Sequence, residues 1–290
     1  MNNLITAISN NGGAVIHVID STDIVHEMEK LHTTSATASA ALGRLLTAAA
    51  LIGNMQKGKD DVITIKLKGG GPIGTVTAIC DSHGNVRGSC DNPLADLPLN
   101  PKNNKLDVGG LVGADGVLIV MRDSGAGEPY IGQVELVSGE VAEDITHYYA
   151  TSEQVPTVCA LGVLVNPDLT IKAAGGFILQ LMPGASDDEI TLIENNITKL
   201  NAVTTLLDAG SSPVDIANKV LSGFEPEILS TSPAQYKCNC SREKMQRIMK
   251  SLGETELQEL AEEAPDTEIV CSYCDKKYLF SAEELRELSI

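Results

Sequence analysis

Four cysteines near the C-terminus have the types and spacing to do chemistry. Cys238 and Cys240 straddle one asparagine in "YKCNCSRE", and Cys271 and Cys274 flank two residues in "CSYC". Zinc favours a closed tetrahedron of four thiolates supplied as two close pairs, and Cys-x-x-Cys is the spacing of a knuckle whose tight turn aims both sulfurs at one metal. Cys238-x-Cys240 is less usual, but a helix starting at Ser241 would fix its geometry. The expectation is a four-thiolate zinc site formed by Cys238, Cys240, Cys271 and Cys274. The tail from Tyr236 onward is of a size at which an apolar core alone seldom suffices, so its fold should depend on the metal. Thiolates are also the form that oxidants attack. Oxidation to disulfides would therefore remove the ligands and release the zinc.

The other three cysteines carry no such pattern. Cys80, Cys90 and Cys159 lie in or beside apparent strands and read as small core residues. If His83-Gly84 is a hairpin tip, Cys80 faces Arg87. The five histidines, His17, His26, His32, His83 and His147, are scattered. With no HExxH and no G-x-S-x-G, none is nominated as a catalytic base, and the chain reads as a non-enzyme.

Two phosphate-binding motifs fail on context. Gly69-x-Gly71-x-x-Gly74 resembles a dinucleotide fingerprint, which requires a helix next. Here the β-branched, alternating "TVTAICD" follows. Gly53-x-x-x-x-Gly58-Lys59 has Asp60 where a P-loop needs Ser or Thr, and it follows a helix instead of a strand. Activity through ATP is not expected.

The elements that must position the cysteines are well punctuated. "LITAIS" and "AVIHVID" form a hairpin about Asn10-Asn11-Gly12-Gly13, and residues 21 to 56 read as helical. Strand candidates follow: "VITIKLK", "TVTAICD", "GVLIVMR", "IGQVELV", "TVCALGVLV" and "TIKAAGGFILQLM", with a short helix near 140–150. After Pro183 the pattern becomes helical. Ser186 and Glu189 make a capping box; Ile190, Ile193, Ile197, Leu200 and Leu207 share one face of a helix over 187–207. Gly210 stops it, and Pro213 opens a second helix. In the tail, Ser241 caps a helix that stops at Gly253. Thr255 with Gln258 makes a capping box, and "TEIV" and "KKYLF" flank the knuckle as strands. Ser281 and Glu284 cap the last helix, with Phe280 and Leu285 as a hydrophobic staple. The fold class is α+β: a β-rich core domain over 1–182, a helical linker over 183–235, and a small zinc-binding domain over 236–290.

Bulk properties narrow the partners. A net charge of −18 argues against phosphate surfaces, and so against nucleic acid or an anionic membrane. Between 231 and 290 there are 8 Lys/Arg against 12 Asp/Glu, whereas a zinc ribbon that grips nucleic acid should be basic. A thiol–disulfide oxidoreductase built on Cys271 and Cys274 would set the first cysteine at a helix N-terminus; "TEIVCSYCDKKYLF" reads instead as strand–knuckle–strand. "MNNLITAISNNGG" lacks the basic region of a secretory signal, and "ATASAALGRLLTAAALIG", carrying Arg44, reads as too polar to span a membrane. Seven cysteines, an odd number, fit a reducing cytoplasm better than a disulfide framework.

"CNCSRE" and "CSYCDKKYLF", together with "TSATASAALGRLLTAAALIG", "GGGPIGTVTA", "YYATSEQVPT" and "GGFILQLMPGA", resemble the heat-shock protein 33 family of redox-regulated holdase chaperones. The resemblance covers nearly the whole chain. It implies an ATP-independent chaperone that binds unfolding client proteins under oxidative stress. It implies that all four tail cysteines hold zinc in the reduced, inactive form and that oxidation joins neighbours, Cys238 with Cys240 and Cys271 with Cys274. A homodimer in the active form is implied as well. The apolar stripe of helix 187–207 must be covered at rest, and the folded zinc domain is the expected lid.

Overall fold

Alternating apolar residues on either side of Asn10–Gly13 make the first hairpin, β1 (Asn2–Ile8) with β2 (Ala14–Asp20), in the computed structural model, which describes residues 2–288. Two helices follow, α1 (Thr22–Leu31) and α2 (Ala36–Asn54). Ser35 caps α2 by accepting from Ala38 N. By length and composition α2 is apolar enough to cross a membrane, which corrects the expectation that Arg44 makes it too polar. All its residues except Arg44 and Asn54 are nevertheless buried inside the protein, and Arg44 is paired with Glu140. It is the core helix.

Next come β3 (Val62–Lys68), β4 (Thr75–Asp81), β5 (Asn85–Cys90), α3 (Val108–Val112), β6 (Val117–Asp123) and β7 (Tyr130–Glu135). Then α4 (Ala142–Tyr148) runs into a π-turn over Tyr149–Glu153, and the long hairpin β8 (Thr157–Val165) and β9 (Ile171–Leu181) closes the segment. The β4–β5 register pairs Cys80 with Val86 and Ile79 with Arg87, so the expected Cys80–Arg87 pairing is off by one. The reason lies in the turn. The Asp81 carboxylate accepts from His83 N, Asn85 N and Asn85 Nδ2, which builds a three-residue loop where a two-residue tip was expected.

The region after Pro183 differs from the single stripe helix expected. It holds α5 (Asp187–Thr198), α6 (Val203–Asp208) and α7 (Pro213–Val220), then two strands, β10 (Glu227–Pro233) and β11 (Gln235–Tyr236). The predicted capping box of Ser186 with Glu189 is present, and Ser212 with Asp215 makes another. The break after Thr198 is held by Asn196, whose Nδ2 donates to the carbonyls of Val220 and Ser222 at the end of α7. The tail continues as α8 (Arg242–Lys250), α9 (Glu254–Glu263), β12 (Asp266–Val270), β13 (Lys277–Ser281) and α10 (Ala282–Leu288).

Three sheets result, ordered β10-β1-β2-β9-β8, β11-β5-β4-β3-β6-β7 and β12-β13. The two large sheets sandwich α2, whose Leu42, Leu45, Leu46 and Leu51 join Ile19 and Ile178 of the first sheet and Ile65, Val76 and Val120 of the second in one core. The first sheet has a second apolar face. There Ile5, Ile16, Val18, Phe177 and Leu179 pack against Ile193, Val203, Leu206, Ile216 and Val220 from α5 to α7. The stripe of 187–207 thus packs against the β-rich body. Its geometry shows why: Gly162 and Gly175 face each other across β8 and β9, and a methyl group on either would strike Thr204 or Leu207 of α6. The missing side chains let α6 lie close to the sheet.

The chain divides into two compact units, one ending at Tyr236 and the other beginning at Lys237.

Candidate metal centre

The knuckle forms between β12 and β13 because its backbone closes on itself. Cys271 N donates to Lys276 O at 3.0 Å, and Cys274 N and Asp275 N both donate to Cys271 O at 3.2 and 2.9 Å. Asp275 takes the left-handed conformation, φ 54°, which aspartate tolerates better than most residues. The second pair sits just ahead of α8. Its N-cap Ser241 is extended and accepts from Lys244 N. The next residue holds the pairs in register: Arg242 donates to Leu279 O at 2.9 Å, pairs with Glu284 at 2.6 Å, and lies over the Phe280 ring. Ser281 and Glu284 form the predicted reciprocal cap, with Phe280 and Leu285 buried beneath it. The capping box expected at Thr255 is absent. α9 starts two residues earlier, directly after Gly253 at φ 97°, with no side-chain cap.

These elements bring all four expected sulfurs together. The Sγ atoms of Cys238, Cys240, Cys271 and Cys274 lie within 4.8 Å of one another. Cys238 and Cys271 are 3.7 Å apart, and Cys240 and Cys274 are 3.4 Å apart. A zinc–thiolate bond of about 2.3 Å sets tetrahedral sulfur–sulfur edges of about 3.8 Å. The donor set and its dimensions therefore fit a zinc ion.

Tyr278 is a part of the site that sequence reasoning missed. Its hydroxyl donates to Cys240 Sγ at 3.1 Å. The available sign was its place in β13, two residues before Phe280 and on the same inward face. Burial opposes ionisation of Cys240, but hydrogen bonds from Tyr278 and the neighbouring thiols outweigh it and bring this thiol down to about 7. Burial pushes Cys238 up to about 11 and raises Cys274 as well. A bound dication would supply the charge that favours ionisation of all four thiols. Cys271 is buried while the other three are half-buried.

The remaining cysteines are unlike these. Cys80 is buried in the sandwich core, Cys90 ends β5 and Cys159 lies on β8. Burial pushes Cys80 up to about 12 and Cys90 up to about 11, and raises Cys159 further. All three are poor nucleophiles. The glycines at 69 and 71 have a packing role: a Cβ on either would overlap carbonyl oxygens of residues 111 to 113. β4 follows them where a dinucleotide fingerprint requires a helix. His17 is buried against Thr6 and Asn54, and His32 bonds Tyr236.

Comparison with known proteins agrees with this architecture. The family model described as Hsp33 protein matches residues 2–281. The 33 kDa chaperonin of Acetivibrio thermocellus is 50% identical over 268 residues, 92% of this chain and 90% of that protein. The 33 kDa chaperonin of Bacillus subtilis is 45% identical over 288 residues, 99% of this chain and 98% of that protein. The crystal structure of the 33 kDa chaperonin (heat shock protein 33 homologue) of Thermotoga maritima superposes with a TM-score of 0.90 at 35% identity, covering 100% of this chain and 98% of the other. With the whole length matched, the chain belongs to the Hsp33 chaperone family.

Proposed function

We propose that the protein is a redox-regulated, ATP-independent holdase, and that Cys238, Cys240, Cys271 and Cys274 hold one zinc ion in its reduced, inactive form. The four sulfurs gathered within 4.8 Å on two separate segments carry this reading. When bound, zinc would cross-link the Cys238–Cys240 segment to the knuckle and hold the thiolates ionised. The unit that depends on this link has a small apolar core, centred on Met249, Leu257, Phe280 and Leu285, so loss of the link unfolds it.

Oxidation forms one S–S bond from two thiols while one peroxide is reduced to two waters. In the folded form the close sulfur contacts, Cys238 with Cys271 and Cys240 with Cys274, cross between segments. We assign the bonds to neighbours, Cys238 with Cys240 and Cys271 with Cys274, as the resemblance implies. The consequence supports this choice. Neighbour bonds close loops of a few residues and leave the two segments untied, whereas crossed bonds would keep the tail stapled.

Activation then reaches the linker, 183–235, in a division of 1–182 as substrate-binding body and 236–290 as switch. α5 contributes one fully buried side chain, Ile193, and a 12-residue helix is marginal by itself. Its release with α6 and α7 bares Ile5, Ile16, Val18, Phe177 and Leu179, a contiguous apolar face suited to unfolded clients. No nucleotide is needed and no catalytic residue is assigned. The active form is proposed to pair as a homodimer through such surface, in the cytoplasm, where thiols stay reduced until stress.

Zinc release and suppression of client aggregation, followed together during peroxide treatment, test the reading. Both should rise in step. Holdase activity that is equal before and after treatment, or stoichiometric zinc retained by a Cys271→Ser Cys274→Ser variant, would overturn it.

A further inference from the structure

The strand β10 is held unlike any other strand of the two large sheets. Six of its seven side chains are exposed and Ser232 is half-buried. Leu229 is 53% exposed, so even its apolar residues bury little. What keeps it in place is the main-chain ladder to β1, from Asn2↔Pro233 to Ile8↔Glu227, interrupted by two register shifts. A strand whose main-chain ladder carries most of its attachment is exchangeable, because any extended chain offers the same N–H and C=O groups.

The fastening lies at its C-terminal end. The Asn3 side chain accepts from Ala234 N and donates to Ala234 O. Gln235 N donates to Gly84 O, and β11 pairs with β5. Tyr236 is buried, its hydroxyl lies 3.2 Å from both Gly88 O and His32 Nε2, and the His32 ring meets it edge to face. Segment 227–236 thus adds an edge strand to each sheet and ends on a single buried aromatic anchor. Cys238 follows that anchor by two residues.

We infer that Tyr236 latches β10 onto β1, and that release of the latch opens the β1 edge as a main-chain docking site for extended segments of non-native client protein. The inference rests on the holdase reading above and names the backbone contact that reading leaves open. A tail that unfolds when its four cysteines lose their metal puts a mobile chain two residues from the anchor, and the exposed side chains of β10 bury little. The bared β1 offers unpaired backbone groups beside Ile5 and Ala7, which belong to the apolar face beneath α5 to α7. Strand addition reads main chain and leaves side chains to neighbouring pockets. This suits a site for unrelated clients that share only exposed backbone and apolar residues.

The test uses the full chain. A disulfide pin between register partners, Ala7→Cys with Ile228→Cys, is closed while the tail cysteines are protected by zinc. After peroxide the pinned chain should release zinc as the parent does yet hold aggregating citrate synthase several-fold less well. Hydrogen exchange gives a second readout on the unaltered sequence. Amides of 4–8 should lose protection on oxidation and regain it when client is added. A pinned chain with full holdase activity overturns the edge assignment while the holdase reading stands, as does a β1 that stays protected throughout oxidation. Protection that returns with protein concentration and no client assigns the edge to a second copy and overturns the client. An oxidised parent that holds no client at all removes the holdase reading and this inference with it.

Discussion

The two units of this chain solve the stability problem in different ways. The larger one buries α2 between two sheets and stacks three more helices on an outer face, so its apolar core spreads over both sheets and α2. The smaller one centres on eight buried residues, one of which is Cys271 itself, with Cys238, Cys240 and Cys274 packed alongside. In the first, no single interaction is decisive. In the second, the four sulfurs are part of the core, so chemistry at sulfur is structural by construction. The proposed switch is placed where one bond set would carry the fold.

Removing the ligands tests that contrast most severely. Binding of a structural zinc contributes an apparent ~10–16 kcal/mol in small domains, far above what the core around Phe280 can offer. Cys271→Ser with Cys274→Ser should therefore lose stoichiometric zinc and amide protection throughout 237–288. The core strands of the sandwich should keep theirs. Zinc analysis and hydrogen exchange report both.

The next largest effect addresses the face that joins linker to body. Ile216 on α7 is fully buried against the first sheet. Ile216→Ser removes a buried side chain and leaves a hydroxyl in its place, costing about 3–5 kcal/mol at that face. The reduced variant should retain zinc and yet suppress client aggregation. Equal aggregation kinetics for the reduced parent and the variant would argue that this face does not bind clients.

Acid should separate the units further. Burial holds His17 well below its ordinary value, at about 4, and its Nδ1 faces Thr6 Oγ1 and Asn54 Nδ2. The unfolded chain takes up a proton below pH 6.5 while the folded body resists until about 4. The body therefore has this stability in full above pH 6.5 and loses about 3 kcal/mol as pH falls to 4. Urea midpoints of the parent should drop across that window, and His17→Gln should flatten the drop. The zinc unit is also expected to weaken in acid, but through protonation of its thiolates, and His17→Gln should leave zinc release against pH unchanged.

A smaller change sharpens the linker's part. Ser186 caps α5 reciprocally with Glu189, and Ser186→Ala should cost about 1 kcal/mol. Zinc affinity should be untouched, while less peroxide exposure should be needed for half-maximal holdase activity.

Local signals made much of this legible. The knuckle, the Ser241 cap and the reciprocal caps at Ser186 and Ser281 depend on residues three or four apart, and each was readable from the chain. What escaped depends on distant partners. Nothing in "EILSTSP" alternates, because β10 is paired through its backbone to β1, more than two hundred residues away in sequence. The apolar stripe continued through Ile197, Leu200 and Leu207, yet the helix breaks where Asn196 turns to the end of α7. The β4–β5 register slipped by one because the Asp81 carboxylate builds a longer turn than His83-Gly84 suggested. Tyr278 was visible as a strand residue, but its bond to Cys240 needed the fold.

Hydrogen exchange along a peroxide time course, with zinc release and holdase activity measured on the same samples, tests the central claim most directly. The account predicts that protection is lost in 187–220 and 237–288 as zinc leaves and activity appears, while α2 and the strands β2, β3, β4 and β9 around it stay protected. Holdase activity that appears while 187–220 remains fully protected would contradict it, even with the zinc site confirmed.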